Sequence, residues 1–426
     1  MDMKRLKPFV ITTFLILLIT LSSCSTTSKL QKIVDHNYSV EHMMGQIEAP
    51  EFESTYPTFY QTGYEWHKHS LDLIAEAEDY ILISTFLGVE HPAVFPVWKA
   101  LSEKAASGVD VYIIIDSSSN FQMVPFVNER IKAAFMQLKE LNLNFVEYNS
   151  LSTSNIFLIP NLLTRDHRKY WIIDGKKIAV GGVNVNQTSV DYPSGYGNTD
   201  TMIELTSPGA TRELIDTFVE TWNKFSSQSI SSNNFSVDPN LEGETTKLWF
   251  VNHRWPTNSK VATMFDTFAT YAEKELWLVQ GYTFLTPKLL KRIEFAISRG
   301  VEVNIMLSEY STQPKYEMAS RWGVLDLIKA GANVYIFDSP VGSFLHSKMI
   351  VADGKLVTVG SANYNFRSET LSLELNFVFE DQKIGQEVLD YIGELLKESR
   401  LVTIEEAESF RTFRTWYNHL LMQIWG

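Results

Sequence analysis

At 426 residues and 45% apolar content, the chain is long enough to bury two cores of ordinary domain size, and two domains are the expectation. Its 37 Lys and Arg against 50 Asp and Glu give a formal charge of -13. That balance argues against a sequence-independent nucleic-acid binder, whose affinity comes from cationic surface, although a local basic cleft stays compatible with it. With one cysteine, Cys24, no disulfide can form within the chain.

In chain order, Lys4, Arg5 and Lys7 precede an apolar stretch from Phe9 to Leu21, then Ser22-Ser23-Cys24. The stretch falls short of the roughly 20 apolar residues a membrane span needs and suits the core of a signal peptide over 1–23. Leu21-Ser22-Ser23-Cys24 resembles the bacterial lipobox, which makes Cys24 the expected lipidation site and places the protein, lipid-anchored, in a bacterial cell envelope. In a Gram-negative cell, Ser25 resembles the residue that favours outer-membrane sorting. Residues 24–55 are expected to form a polar, irregular tether.

A globular pattern follows. Tyr80–Thr85 reads as a buried strand, Phe95–Ala106 as a helix, Val109–Ile115 as a second strand after Gly108, and Phe145–Tyr148 as a third. The same order returns at Leu276–Val279, Leu289–Ile297, Val301–Met306 and Val334–Phe337. Strand and helix in alternation predict an α/β protein: two pseudo-twofold duplicated domains over 56–225 and 248–400, with mixed, mostly parallel sheets flanked by helices. The Ser- and Asn-rich segment 226–247 is the expected linker. Residues 401–426 predict an amphipathic helix in which Phe410, Phe413, Trp416, Tyr417, Leu420, Leu421, Ile424 and Trp425 share an aromatic face. Docking on the second domain is favoured over membrane contact.

Each half carries H-x-K-x4-D, at His167, Lys169 and Asp174 and again at His346, Lys348 and Asp353. Gly181-Gly182-Val183-Asn184 and Gly360-Ser361-Ala362-Asn363 follow at equal spacing, and nine of twenty positions are identical when 167–186 is laid on 346–365. On an extended strand H-x-K puts imidazole and ammonium on one side. Two such halves surround a phosphorus centre with His167, His346, Lys169, Lys348, Asn184 and Asn363. One imidazole attacks phosphorus, the other protonates the leaving alcohol, and the ammonium and amide donors hold the developing charge. This chemistry calls for no metal and no cofactor. His67-Lys68-His69 has no Cys or His partner nearby in sequence and reads as a solvated or packing segment.

The paired segments resemble the two HKD motifs of the phospholipase D superfamily, over most of residues 60–400. Thr164–Lys169 and Ser361-Ala362-Asn363 with Arg367-Ser368 look most like its bacterial cardiolipin synthase and phospholipase D branch. The resemblance implies His167 as nucleophile through a phosphohistidine, His346 as acid and then base, and Ser361 beside Asn184 and Asn363 at the phosphate. It also implies a histidine-orienting acid 25 to 35 positions after each motif histidine, a range in which Asp200 and Glu374 fall. Asp174 and Asp353 are expected to be structural, bonding the turns at Gly175 and Gly354. Gly182 departs from the hydroxyl at Ser361, and Gln187–Asn198 lacks the tryptophan often found there. The implied activity is hydrolysis of a glycerophospholipid headgroup or phosphatidyl transfer of the cardiolipin-synthase kind. A nuclease of the same superfamily and a non-catalytic envelope binding protein are the competing classes. With both half-sites in one chain, a monomer suffices.

Overall fold

A computed structural model describes residues 23–121, 123–124, 129–150, 163–190, 197–254, 259–311 and 313–425, and for 23–25, 121–130 and 424–425 the backbone alone where described. The expected signal peptide, the Cys24 side chain, part of the Gln187–Asn198 stretch and the side chains of Ile424 and Trp425 lie outside the described residues.

The strands of the two large sheets are β1 Glu51–Thr55, β2 Thr58–Tyr60, β3 Tyr80–Thr85, β4 Asp110–Asp116, β5 Asn144–Tyr148, β6 Tyr170–Ile173, β7 Lys177–Gly181, β8 Met202–Leu205, β9 Thr245–His253, β10 Glu275–Gln280, β11 Glu302–Ser308, β12 Asn333–Phe337, β13 Lys348–Ala352, β14 Leu356–Gly360, β15 Glu374–Glu380 and β16 Ser399–Leu401. One sheet runs β2-β8-β7-β6-β3-β4-β5 and the other β1-β9-β15-β14-β13-β10-β11-β12-β16. The order β8-β7-β6-β3-β4-β5 therefore recurs as β15-β14-β13-β10-β11-β12, which is the duplication expressed as topology.

The principal helices are α1 Ser23–Asp35, α2 Val40–Gln46, α3 Gly63–Glu76, α4 Phe95–Ala106, α5 Pro208–Phe225, α6 Lys260–Tyr271, α7 Pro287–Ser298, α8 Pro314–Ala330, α9 Gln382–Lys397, α10 Ile404–Ser409 and α11 Phe413–Trp425. Matching signals stop α4 and α7: Gly108 (φ 103°) and Gly300 (φ 87°) take the left-handed conformation just beyond each helix end, where a side chain would be strained.

The two-residue period of each strand assigns its side chains to two cores. Tyr80, Leu82, Tyr170 and Ile172 of the first sheet meet Trp277, Val279, Met349 and Phe377 of the second in a central layer that also takes up Phe218 of α5 and Val388 of α9. Ile81, Ile83 and Trp171 face Trp66 of α3 and Trp98 of α4. Leu276, Leu278 and Ile350 face Met264 of α6 and Leu289 of α7.

The sheets are mixed as expected, but they are not mostly parallel. Among the described residues, the parallel ladders of these sheets are β3-β4-β5 and β10-β11-β12, and the other ladders are antiparallel. The reason is the motif itself. Asp174-Gly175 (φ 52° and 65°) and Asp353-Gly354 (φ 52° and 59°) are tight hairpin turns that fold β7 back on β6 and β14 back on β13.

Asp174 and Asp353 do more than shape these turns. Asp174 accepts from the backbone N–H groups of Glu78, Asp79 and Tyr80, each at 2.8 Å. Asp353 accepts from Glu273, Lys274 and Glu275 at 2.8, 2.9 and 2.9 Å. Each carboxylate thus ties the motif hairpin to the start of the neighbouring central strand, rather than bonding its own turn. Asp174→Ala strands these donors and is expected to cost about 2–4 kcal/mol in chemical denaturation. An unchanged midpoint would contradict this role.

The expected tether is also corrected. Residues 23–35 and 40–46 are helical, and Leu30, Ile33, Val40, Met43 and Met44 are buried against the second sheet's helices, because they recur at the three- and four-residue spacing of an apolar helix face. The 226–247 segment is packed as well: Phe235 is buried against Tyr80. The chain end forms two helices, α10 and α11, with α11 docked on α8.

Candidate active site

His167 lies three residues before β6 and His346 two residues before β13. Each is fixed by the other half of the molecule. His167 N–H donates to Leu373 O (3.0 Å) and Leu373 N–H to Arg165 O (2.8 Å). In the matching places His346 N–H donates to Thr199 O (2.8 Å) and Thr199 N–H to Phe344 O (3.0 Å). The residue after each clasp carries or adjoins an acid, so the side chains pair crosswise. His167 Nδ1 lies 3.0 Å from Glu374 Oε2, and His346 Nδ1 lies 2.6 Å from Asp200 Oδ2. Asp200 and Glu374 thus meet the histidine of the opposite half, not the one that precedes them in sequence. The crossing places both H-x-K segments at one site.

A carboxylate can only accept, so each Nδ1 carries the proton and each Nε2 presents its lone pair. Burial pulls both imidazoles down to about 4, against the upward pull of Glu374 on His167 and of Asp200 on His346. Both rings are therefore neutral near pH 7. Phe86 lies edge-on to His167 at 4.9 Å between centroids, and Phe344 lies 5.2 Å from His346.

Lys169 and Lys348 each donate to the carbonyl of their own motif histidine. Burial, followed by repulsion from Lys348, brings Lys169 down to about 7, and burial brings Lys348 down to about 8. A bound phosphodiester anion reverses that loss by supplying the missing counter-charge. In the free protein the ammonium protons leave as pH rises through 7 and 8, so kcat/KM is expected to fall across that interval. With bound substrate the alkaline limb of kcat should lie higher. A kcat/KM profile flat from about pH 6 to 10 would contradict this electrostatic reading.

The halves differ where the acids differ. Glu374 accepts from Ser361 Oγ (2.5 Å) and Ser368 Oγ (2.6 Å), and Ser361 also accepts from Leu375 N–H. Ser361, expected at the phosphate, is fully buried behind the carboxylate and holds it instead. On the other side a Cβ at Gly182 would come within 2.1 Å of Asp200 Oδ1. The shorter acid draws its carboxylate close to the backbone and leaves no room for a hydroxyl residue. Asn184 Oδ1 accepts from Leu87 N–H at 3.1 Å, so its amide nitrogen is the group it has to offer an oxyanion. Asn363 is held through its backbone N–H, which donates to Ser368 Oγ at 3.1 Å.

A charged network behind His167 escaped the sequence reading. Arg168 points away from His167 and Lys169 into the layer between the sheets, where its Nε and Nη2 grip Asp166 at 2.8 and 2.6 Å. Asp116 accepts from Asp166 N–H at 2.8 Å, and burial pushes its carboxyl up to about 6. The signal was present: an arginine in the middle of H-x-K, at the head of an apolar strand, calls for a buried carboxylate. In the second half Ser347 stands there and meets Thr201 Oγ1 at 2.9 Å.

Duplicated six-strand units, joined by crossed histidine–carboxylate pairs, define a phospholipase D-like protein with both motifs in one chain. A family profile described as "Cardiolipin synthase, PLD-like domain" matches residues 71–222 and again 267–396, and the chain belongs to that family. A cardiolipin synthase of Alkalihalophilus pseudofirmus is 24% identical over 341 residues, covering 78% of this chain and 64% of that protein. A probable cardiolipin synthase of Bacillus subtilis is 25% identical over 346 residues, covering 80% and 65%. The chain thus spans just under two thirds of the length of these relatives. The crystal structure of a phosphatidylserine synthase from Haemophilus influenzae has the same fold, with a TM-score of 0.70 at 11% identity over 91% of this chain and 100% of that one.

Proposed function

We propose that this protein transfers the phosphatidyl group of a glycerophospholipid through a covalent adduct on His167, either to an alcohol or to water. The observation that carries this reading is the crossed pairing of His167 with Glu374 and of His346 with Asp200, which presents two Nε2 atoms to one site. In the first step His167 Nε2 attacks phosphorus and the bond to the headgroup oxygen breaks. His346, protonated on Nε2, gives that proton to the departing alcohol. Its low intrinsic basicity rises once the phosphodiester anion lies beside it. In the second step His346 takes a proton from the acceptor, whose oxygen attacks phosphorus and releases His167. Lys169, Lys348 and the amide of Asn184 hold the non-bridging oxygens, with Asn363 beside them.

Phosphatidylglycerol as donor and acceptor yields cardiolipin and glycerol, while water yields phosphatidic acid. The resemblance to proteins named cardiolipin synthase supports the lipid substrate class. Lipidation at Cys24, in the envelope of a bacterial cell and at the outer membrane if that cell is Gram-negative, would hold the enzyme at its substrate. One chain supplies both half-sites, so a monomer is the active unit.

The test is incubation of the purified protein with labelled phosphatidylglycerol, phosphatidylethanolamine and single-stranded DNA, followed by product identification. Cardiolipin or phosphatidic acid is expected. Cleavage of DNA with neither lipid product would overturn the proposal.

A further inference from the structure

Helix α11 is apolar on two sides. Its inner side is accounted for: Met422 is buried with Tyr282, Phe284 and Phe344, Gln423 donates to Leu285 O (3.0 Å), and His419 Nδ1 meets Ala319 O at 2.9 Å. Arg411, just before the helix, stacks on Trp322 and pairs with Asp326 at 2.6 Å. The outer side carries Phe413, Trp416 and Tyr417, which are 78%, 42% and 49% exposed. With Leu420 they follow the i, i+3, i+4, i+7 spacing of an apolar helix stripe. Their rings touch one another, Phe413 lying 5.5 Å from Trp416 and 6.3 Å from Tyr417. Behind them the stripe opens into a groove of about 300 Å³ whose apolar walls include Leu290, Trp322, Trp416 and Leu420, with Asp326 and Gln423 in its polar lining.

Two further observations say what covers this surface. The first is the path of the chain. Lys29 of α1 binds Asp266, which also holds Arg292 in the middle of α7. Farther along, Ile33, Val34, Asn37 and Tyr38 line a cleft with Tyr271 and with Arg299, just past the end of α7. Helix α1 therefore runs parallel to α7, and its start lies toward Pro287, the end of α7 that walls the groove. Ser23 and Cys24, the latter the expected lipidation site, therefore stand at this same end of the fold. The second is the neighbourhood of the site: Met422 on the inner side of α11 packs in one cluster with Phe344, whose ring adjoins His346.

We propose that the outer stripe of α11, together with the groove beside α7, is a bilayer-docking surface that turns the mouth of the active site toward the lipid. The proposal rests on the lipid-substrate reading for its purpose, but not for its test. Trp and Tyr rings suit the headgroup region, where their apolar body is buried and their polar edge stays wet, and the exposed Arg414 beside them suits anionic lipid.

The test uses the full chain carrying Cys24→Ser, with an environment-sensitive fluorophore on Tyr417→Cys or, on the far half of the molecule, on Glu76→Cys. Vesicles of phosphatidylglycerol and phosphatidylethanolamine should shift the emission of the first label to the blue and leave the second unchanged. A shift at 417 that appears without vesicles and grows with protein concentration assigns the stripe to a second copy and overturns the proposal, as does no shift. In the Phe413→Ser, Trp416→Ser, Tyr417→Ser variant, turnover of vesicle phosphatidylglycerol should fall at least about tenfold, with turnover of dispersed short-chain phosphatidylglycerol unchanged. Vesicle-dependent shift with no lipid turnover in either form would leave the docking surface standing and remove the enzymatic reading. Turnover without the shift would do the reverse.

Discussion

His167→Ala is expected to lower phosphatidyl transfer by about 10⁴–10⁶-fold, the scale on which loss of a catalytic nucleophile is felt. The variant should fold as the parent does, because the ring's partners are a carboxylate and the edge of Phe86 rather than the packed centre of a sheet. Far-UV circular dichroism and lipid turnover measured on the same preparation separate the two effects. Residual turnover within about tenfold of the parent would remove His167 from the nucleophile's role.

His346→Asn is expected to show a different signature. With a glycerol or ethanolamine headgroup, departure of the alkoxide needs a proton, and loss of the general acid should cost about 10²–10⁴ in rate. With an aryl phosphodiester, whose leaving group has a low pKa, the first step should recover to near the parental rate, while His167→Ala should recover nothing. The comparison is made on the burst of released phenol, since the second step also uses His346. Equal rescue of both variants would contradict the division of labour. The crossed pairing adds a corollary: Asp200→Asn should mimic a weakened His346, although Asp200 follows His167 in sequence.

Much of this site is legible in the chain because its parts are local. His167 with Lys169 and His346 with Lys348 sit two apart at the head of apolar strands, and duplication makes each half a control for the other. The Asp-Gly pairs at 174–175 and 353–354 are hairpin turns, and weighing them as such predicts the antiparallel ladders that the strand–helix alternation alone misses. The amphipathic spacing of Leu30, Ile33, Val40, Met43 and Met44 likewise carries the two helices that stand where a tether was expected.

Other features have no local signature. Which acid serves which histidine is decided by the backbone clasps at Leu373 and Thr199, contacts between residues far apart in the chain. The position of Ser361 behind Glu374, rather than at the phosphate, follows from the length of a glutamate side chain and the hydroxyl of Ser368. Gly182 is intelligible only once Asp200 is seen filling the space a side chain would occupy.

Transfer of phosphorus through a nitrogen of His167, as proposed above, is open to direct capture of the adduct. The protein is mixed with phosphatidylglycerol, quenched at alkaline pH because a phosphorus–nitrogen bond is acid-labile, digested, and sequenced by mass spectrometry. A phosphatidyl group is expected on the peptide containing His167, accumulating in His346→Asn when an aryl leaving group is used and absent from His167→Ala. Turnover with the adduct on His346, or on no residue at all, would contradict it.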